Sequence, residues 1–236
     1  LALLCVLSEL RKFYPEKYDL CALMLDMGFD ASETVGAAPS DTSEIAELCS
    51  RLGVEFHVKR TEIARVIFDV RKESNPCSLC ARMRRGSLHD LAKEYGVNKL
   101  ALGHHFDDAI ETTLMSMLYG AEIKTMMPKL KSTNYKGMEL IRPLYMVREK
   151  DIISWARYNE LEFIRCACKV TRANEEADNG SKRQEVKMLI KKLKEENDNV
   201  DMNIFKSVHN VNLATIIGYR DCDGGELHSF TESYDK

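Results

Sequence analysis

The chain has 236 residues, 44% of them hydrophobic and 30% charged, enough to bury a sizeable core in one large domain or two small ones and incompatible with a disordered or fibrous polymer. With 34 Lys and Arg against 37 Asp and Glu the net charge is -3, so any contact with nucleic acid must come from a local basic face. No apolar run approaches the roughly 18 residues a membrane helix needs and no signal-peptide pattern is present, so a cytoplasmic protein without membrane contact is expected.

Leu3, Leu4, Leu7 and Leu10 recur at helical spacing, with no capping residue ahead of Leu1. The expectation is a helix whose upstream sequence is missing. Tyr18 to Leu25 then reads as a buried strand bounded by Asp26 and Gly28, and Gly36 to Ser40 as loop. Asp41 to Leu52 is a capped helix closed by Gly53, and Val54 to Val58 alternates like a second strand. Ser78 to Tyr95 is a long basic helix stopped by Gly96, Lys99 to Gly103 a short apolar strand, and Asp108 to Tyr119 another helix. Strands alternating with helices predict a parallel sheet covered on both faces. Lys124 to Tyr135 reads as a polar connection, Glu139 to Leu144 as extended chain, with Arg142 held there by the following proline, and Arg148 to Tyr158 as a helix. Ser181 to Asn197 carries Val186, Leu189, Ile190 and Leu193 on one helical face, a short helix covers Met202 to Val211, and 218–236 is expected to be a loose polar tail.

Eight cysteines in a reducing compartment favour metal ligation over disulfides. Cys77-Ser78-Leu79-Cys80 lies where a loop enters a helix, where the helix N-terminus and Arg82, Arg84 and Arg85 favour thiolate. With Cys166-Ala167-Cys168 downstream, two short-spaced pairs suit a four-cysteine zinc site or an iron-sulfur cluster. A redox dithiol and a helix-start coincidence are the other readings of Cys77 and Cys80. Cys5, Cys21 and Cys49 sit on apolar faces as core residues, and Cys222 is a bystander in the tail.

The densest polar constellation, Gly103-His104-His105-Phe106-Asp107-Asp108-Ala109-Ile110-Glu111, falls at the carboxyl end of a strand, where ligands bind in open parallel sheets. Adjacent carboxylates there can hold Mg²⁺ against nucleotide phosphates, and a neighbouring histidine can contact phosphate or assist proton transfer. The competing reading is a capping box from Asp108 to Glu111, with Asp107 complementing the helix dipole, which leaves the two histidines unexplained. Arg82, Arg84, Arg85, Lys93, Lys124, Lys129, Lys131 and the helix from Lys182 to Lys194 supply basic patches with few interleaved aromatics, a pattern suited to phosphate contact rather than base stacking.

Together, Cys77-Ser78-Leu79-Cys80-Ala81-Arg82-Met83-Arg84-Arg85-Gly86, then Leu102-Gly103-His104-His105-x-Asp107-Asp108, then Ile141-Arg142-Pro143-Leu144 with Arg148-Glu149-Lys150-Asp151-Ile152, resemble the tRNA 2-thiocytidine synthetase branch of the PP-loop ATPases, in order from Leu1 to Cys168. The resemblance implies an α/β, adenine nucleotide alpha-hydrolase-like (Rossmann-like) fold over 1–170, followed by a helical extension over 171–217 and the tail over 218–236. It implies an enzyme that uses ATP and Mg²⁺ to adenylate a cytidine carbonyl at position 32 of the tRNA anticodon loop, which sulfur then displaces. It also implies a 4Fe-4S cluster on Cys77, Cys80 and Cys166, with one iron free to carry sulfur, and zinc as the alternative metal. Asp107, Asp108 and His104 would be catalytic, with both aspartates at Mg²⁺. Asp26, His105 and Arg142 would lie in the ATP region, and Arg82, Arg84 and Arg85 would touch tRNA. A sulfur donor such as a cysteine desulfurase and a homodimer are the further partners expected. The family's Ser-Gly-Gly-x-Asp-Ser phosphate loop is absent, and Leu1 to Phe13 matches the helix that follows it. The chain as given is therefore expected to turn over little ATP. Cys166-x-Cys168 replaces the usual Cys-x-x-Cys, so Cys168 competes for the third ligand position. The alternatives are another PP-loop tRNA-modifying enzyme or ligase with structural zinc, and a tRNA-binding module without ATPase activity.

Overall fold

The computed structural model describes residues 1–32, 41–72, 76–161, 181–221, 225–232 and 234. Helix α1 (Ala2–Leu10) buries Ala2, Cys5 and Ser8 and leads into strand β1 (Cys21–Asp26). Helix α2 (Ser43–Arg51) buries Leu48 and Cys49 and carries the chain to β2 (Glu55–Arg60), which pairs in parallel with β1 from Cys21 opposite Glu55 to Asp26 opposite Arg60. The turn after β1 is tied to the turn after β2, because the Thr61 amide and hydroxyl both donate to the Asp26 carbonyl (2.8 and 2.9 Å) and the Ala64 amide donates to the Met27 carbonyl (3.0 Å).

A short helix α3 (Ile63–Arg65) continues as a π-helical turn over Val66–Arg71. It has no side-chain cap at Glu62, which is why its sequence gives no start signal; burial of Ile63, Ala64 and Ile67 stabilises it instead. Helix α4 (Pro76–Glu94) opens on proline, whose missing amide costs nothing in the first turn, and gives way at Gly96, which has φ +67°. Strand β3 (Lys99–Ala101) leads to α5 (Phe106–Gly120), and β4 (Lys129–Lys131) and β5 (Glu139–Ile141) follow. Strand β5 lies between the other two, parallel to β3 and antiparallel to β4.

The parallel pairs agree with the expectation, and β4 corrects it, since Lys129–Lys131 belongs to the stretch read as a polar connection. Its two lysines mask the strand signal, yet lysine is a residue that suits an exposed sheet edge. Lys129 and Lys99 both reach the Glu139 carboxylate, at 3.1 and 2.7 Å.

Helix α6 (Glu149–Tyr158) precedes α7 (Lys182–Glu196) and α8 (Val200–Ser207). Val186 and Ile190 of α7 and Phe205 of α8 form one buried cluster with Phe106, Ala109 and Ile110 of α5 and with Tyr145. The rings of Phe106 and Phe205 lie 4.6 Å apart, and those of Tyr145 and Phe205 5.3 Å apart. The C-terminal helices therefore pack directly on the helix that carries the histidine-aspartate motif. Within the stretch expected to be a loose tail, β6 (Gly218–Arg220) and β7 (Leu227–Ser229) form an antiparallel hairpin, with Tyr219 stacked on His228 at 4.9 Å, a cross-strand pair that offsets the polarity of the segment. No helix among the described residues is long and apolar enough to cross a membrane.

Candidate active site

The carboxyl ends of β3 and β5 lie side by side, since Ala101 is paired with Ile141 and the Leu102 amide donates to the Ile141 carbonyl at 2.9 Å. Residues 102–105 leave β3 as a short loop, and α5 starts at Phe106, whose amide is taken by the Val147 carbonyl at 3.0 Å. His104, His105 and Arg142 thus emerge together beside the first turn of α5 with Asp107 and Asp108. The motif thus stands at the carboxyl ends of parallel strands, as its spacing suggested.

The cap of α5 differs from the expected one. His105, not Asp108, is the N-cap, and Asp108 is its third-position partner. The Asp108 amide donates to His105 Nδ1 at 3.4 Å, and the His105 amide donates to Asp108 Oδ2 at 3.0 Å. An imidazole nitrogen that accepts a hydrogen bond carries no proton, so this capping box fixes the tautomer of His105. Glu111 is freed from capping and lies buried, 5% exposed. Its burial pushes its carboxyl above the ordinary value, and Arg183 pulls it back.

Both aspartates have protein partners. The Glu149 amide, at the start of α6, donates to Asp107 Oδ2 at 2.7 Å. Arg183 Nη1, from α7, donates to Asp108 Oδ1 at 2.7 Å and to Glu111 Oε2 at 3.0 Å. Lys187, one turn further along α7, donates to both oxygens of Glu149 at 2.9 and 2.6 Å. Asp108 is therefore committed at both oxygens, whereas Asp107 has one that accepts no hydrogen bond among the described residues. No group of three or more His, Cys, Asp or Glu among the described residues could hold a metal ion by itself. For Mg²⁺ that is no obstacle, because it commonly binds one or two carboxylates and completes its shell with phosphate and water.

Two buried polar atoms in this place lack a hydrogen-bond partner among the described residues: His104 Nδ1 and Arg142 Nε. Burial lowers the His104 pKa below its ordinary value; Asp108 opposes this, and Arg142 and Arg183 reinforce it. His104 is thereby kept neutral, able to donate from one nitrogen and accept at the other. Arg142 is anchored by its amide to the Pro128 carbonyl at 2.8 Å and by its guanidinium to the Met127 carbonyl. Unsatisfied buried donors at strand ends fit an anionic ligand such as a nucleotide phosphate.

Asp26 stands at the carboxyl end of the other parallel pair. It accepts from the Gly28 amide at 3.0 Å, and Arg60, which also binds Asp30 at 2.6 Å, approaches it at 3.5 Å. Nothing among the described residues connects Asp26 to the histidine-aspartate cluster through a hydrogen bond or ion pair.

Cys77 and Cys80 occupy the first turn of α4, three residues apart and so on one face, with Cys77 exposed and Cys80 half-buried. Two accessible soft donors at a helix N-terminus fit two ligands of a thiolate-bound metal centre. Cys166, Cys168 and Cys222 lie outside the described residues. Cys5 and Cys49 are buried core residues as expected, and Cys21 is half-buried at the start of β1. Arg82, Arg84 and Arg85 are exposed along α4.

Arg183 and Lys187 were read from the sequence only as part of a basic face, whereas the structure pairs them with carboxylates of α5 and α6. The signal was present in the helical register: both flank the buried Val186 and Ile190, so their heads lie at the border of the packed face. Their partners, 75 residues away for Asp108 and 38 for Glu149, are not visible in local spacing.

A family model described as a PP-loop domain matches residues 1–173. The tRNA-cytidine(32) 2-sulfurtransferase of Geobacter metallireducens is 37% identical over 210 residues, 89% of this chain and 76% of that protein. The enzyme of the same name from Geotalea uraniireducens is 36% identical over 212 residues, 89% of this chain and 78% of its own. Among solved structures, the U34-tRNA thiolase NcsA from Methanococcus maripaludis with its [4Fe-4S] cluster has the same fold, with a TM-score of 0.68 at 22% identity over 88% of this chain and 66% of that one. The chain is an enzyme of the PP-loop, ATP-binding family and belongs to its tRNA-cytidine(32) 2-sulfurtransferase branch.

Proposed function

We propose that this enzyme thiolates tRNA by activating a cytidine carbonyl at position 32 of the anticodon loop with ATP and replacing its oxygen with sulfur. The observation that carries this reading is the 37% identity to a tRNA-cytidine(32) 2-sulfurtransferase over 89% of the chain, together with accessible Cys77 and Cys80 and two orphaned polar atoms beside the histidine-aspartate motif. In the first step the base carbonyl oxygen attacks the α-phosphorus of ATP and pyrophosphate leaves. In the second, sulfur attacks the same carbon and AMP departs with the oxygen, a far better leaving group than oxide.

In this scheme the orphaned nitrogens of His104 and Arg142 meet phosphate oxygens, where fixed donors stabilise developing charge. Asp107 would hold Mg²⁺ through its uncommitted oxygen; Asp108 and His105 hold the turn that positions it. Asp26 faces the nucleotide from the neighbouring strand end. Cys77, Cys80 and Cys166 would hold a 4Fe-4S cluster, which would supply the soft-metal chemistry for handling the sulfur. Arg82, Arg84 and Arg85 contact tRNA phosphates, and the unpaired loop base enters the site without duplex opening. A cysteine desulfurase is the class of partner suited to supply the sulfur as a persulfide, with a thiol reductant providing the two electrons that cleave the S–S bond and bring the transferred sulfur to the sulfide level.

The test is made in cells carrying Cys77→Ser at the native locus. Mass spectrometry of digested tRNA is expected to show loss of 2-thiocytidine, while the purified variant still binds ATP. Retained 2-thiocytidine overturns the ligand role. Iron and acid-labile sulfide at about four each per chain after anaerobic purification support the cluster, whereas one zinc without iron moves the assignment to a cluster-free PP-loop enzyme.

A further inference from the structure

We propose that Arg183, on the first C-terminal helix, is a positioning residue of the active site: by holding Asp108 and Glu111 it locks the capping box that orients His105 and, next to it, His104. The role rests on the function proposed above only for its kinetic consequence; the geometry stands without it. One guanidinium nitrogen, Nη1, reaches both Asp108 Oδ1 (2.7 Å) and Glu111 Oε2 (3.0 Å), while the other oxygen of Asp108 receives the His105 amide at 3.0 Å. Asp108 is thus stretched between α7 and the N-cap of α5, and its side chain cannot rotate without breaking one of the two bonds. The His105 ring completes the arrangement by accepting from the Asp108 amide.

Without Arg183, two carboxylates at neighbouring positions on one helix face would share a half-buried place with no cation between them. Glu111, 5% exposed, has no other side-chain hydrogen bond among the described residues. Asp108 would turn towards His104 and Arg142, its next electrostatic neighbours. The effect expected is a misplaced imidazole, and so a loss in the chemical step rather than in substrate capture. Because a single nitrogen makes both contacts, a lysine ammonium can replace it, and the planar fork of arginine is not needed.

The test compares Arg183→Met, Arg183→Lys and Tyr119→Phe in the whole chain. Tyr119→Phe removes a different bond between the same two helices, from the Tyr119 hydroxyl to Glu185 Oε2 at 2.8 Å, and reports what loosened packing alone does. Imidazole nitrogen resonances are read by NMR. Arg183→Met is expected to move those of His104 and His105 and not that of His57, which stacks on Tyr95 in a separate part of the fold. Arg183→Lys should return them, and Tyr119→Phe should leave them in place. Unmoved resonances in Arg183→Met, or equal movement in Tyr119→Phe, overturn the proposal. In tRNA-dependent pyrophosphate release, Arg183→Met is expected to lower kcat by about tenfold or more with little change in the KM for ATP, and Arg183→Lys to recover most of it. A change confined to KM would assign Arg183 to ATP binding and refute the positioning role. The proposed function is judged separately, by tRNA 2-thiocytidine; where the wild-type chain, lacking the phosphate loop, releases too little pyrophosphate to compare, the imidazole resonances decide Arg183 by themselves.

Discussion

Gly28 shows how one residue secures the carboxyl end of β1. Its φ is +70°, and a β-carbon there would stand 2.4 Å from the carbonyl oxygen of Thr61, a residue whose amide and hydroxyl are both tied to the Asp26 carbonyl. Neither a backbone shift nor a side-chain rotation can relieve that overlap cheaply. Gly28→Ala is expected to lose about 2–3 kcal/mol, from the left-handed conformation and the collision together. Urea denaturation checks it, and a midpoint equal to wild type would show that the turn yields. The same substitution should weaken ATP binding, because Asp26 accepts the Gly28 amide and would lose its fixed orientation. The turn at Asp26 and Gly28 was legible as a strand end bounded by a glycine. The role of His105 was not, because imidazole is outside the usual set of capping side chains and Asp108 offers a more familiar cap three residues later. Here a local rule pointed to the right turn of the chain and the wrong residue.

Between elements, the strongest polar join is Asp201, 2% exposed at the start of α8. Burial alone would raise its carboxyl, but hydrogen bonds from Arg148 and Lys194 and from the Met202 amide outweigh it and bring it to about 2. Arg148 in turn lies over the Phe106 ring at 4.6 Å, so one carboxylate links α8, the start of α6 and the start of α5. The fold holds this group below its unfolded value near 4, so the unfolded chain takes up the proton first. The stabilisation is complete above pH of about 4 and disappears as pH falls towards 2, a loss of about 2–3 kcal/mol. Asp201→Asn is expected to cost about 3 kcal/mol at neutral pH, because it leaves Arg148 and Lys194 without their counter-charge. Its stability should also fall less steeply between pH 4 and 2 in denaturant titrations; an acid limb as steep as wild type would assign that limb to other carboxylates. Helices with strong periodicity and a glycine stop, such as α4, were legible from sequence. The edge strand β4 and the hairpin of β6 and β7 were not, since three-residue strands carry too little alternation to be read and are fixed by their partners.

At the scale of the whole molecule, the placement of the core decides how far the C-terminal helices are a separate unit. The match to the PP-loop domain ends at residue 173, and the sequence reading likewise set a helical extension apart from the nucleotide-binding part. The buried cluster crosses that boundary, joining Val186, Ile190 and Phe205 to Phe106, Ala109, Ile110 and Tyr145. Each of the three large side chains beyond the boundary contributes about 1.5–3 kcal/mol by burial, and their combined share is of the order of the 5–15 kcal/mol that stabilises a typical domain. Arg183 and Lys187 leave with them, removing cations from Asp108, Glu111 and Glu149. A chain ended at Leu161 is therefore expected to lose the native α5, with its apolar face open to water and its site carboxylates uncompensated, although β1, β2 and α4 keep their own contacts. Hydrogen exchange followed by mass spectrometry distinguishes the outcomes. Rapid exchange across Phe106–Gly120 in the shortened chain, with protection retained in β1, shows that the motif helix depends on the C-terminal helices. Full protection of that helix in the shortened chain would make them a dispensable appendage and would remove the physical basis for coupling α7 to the active site.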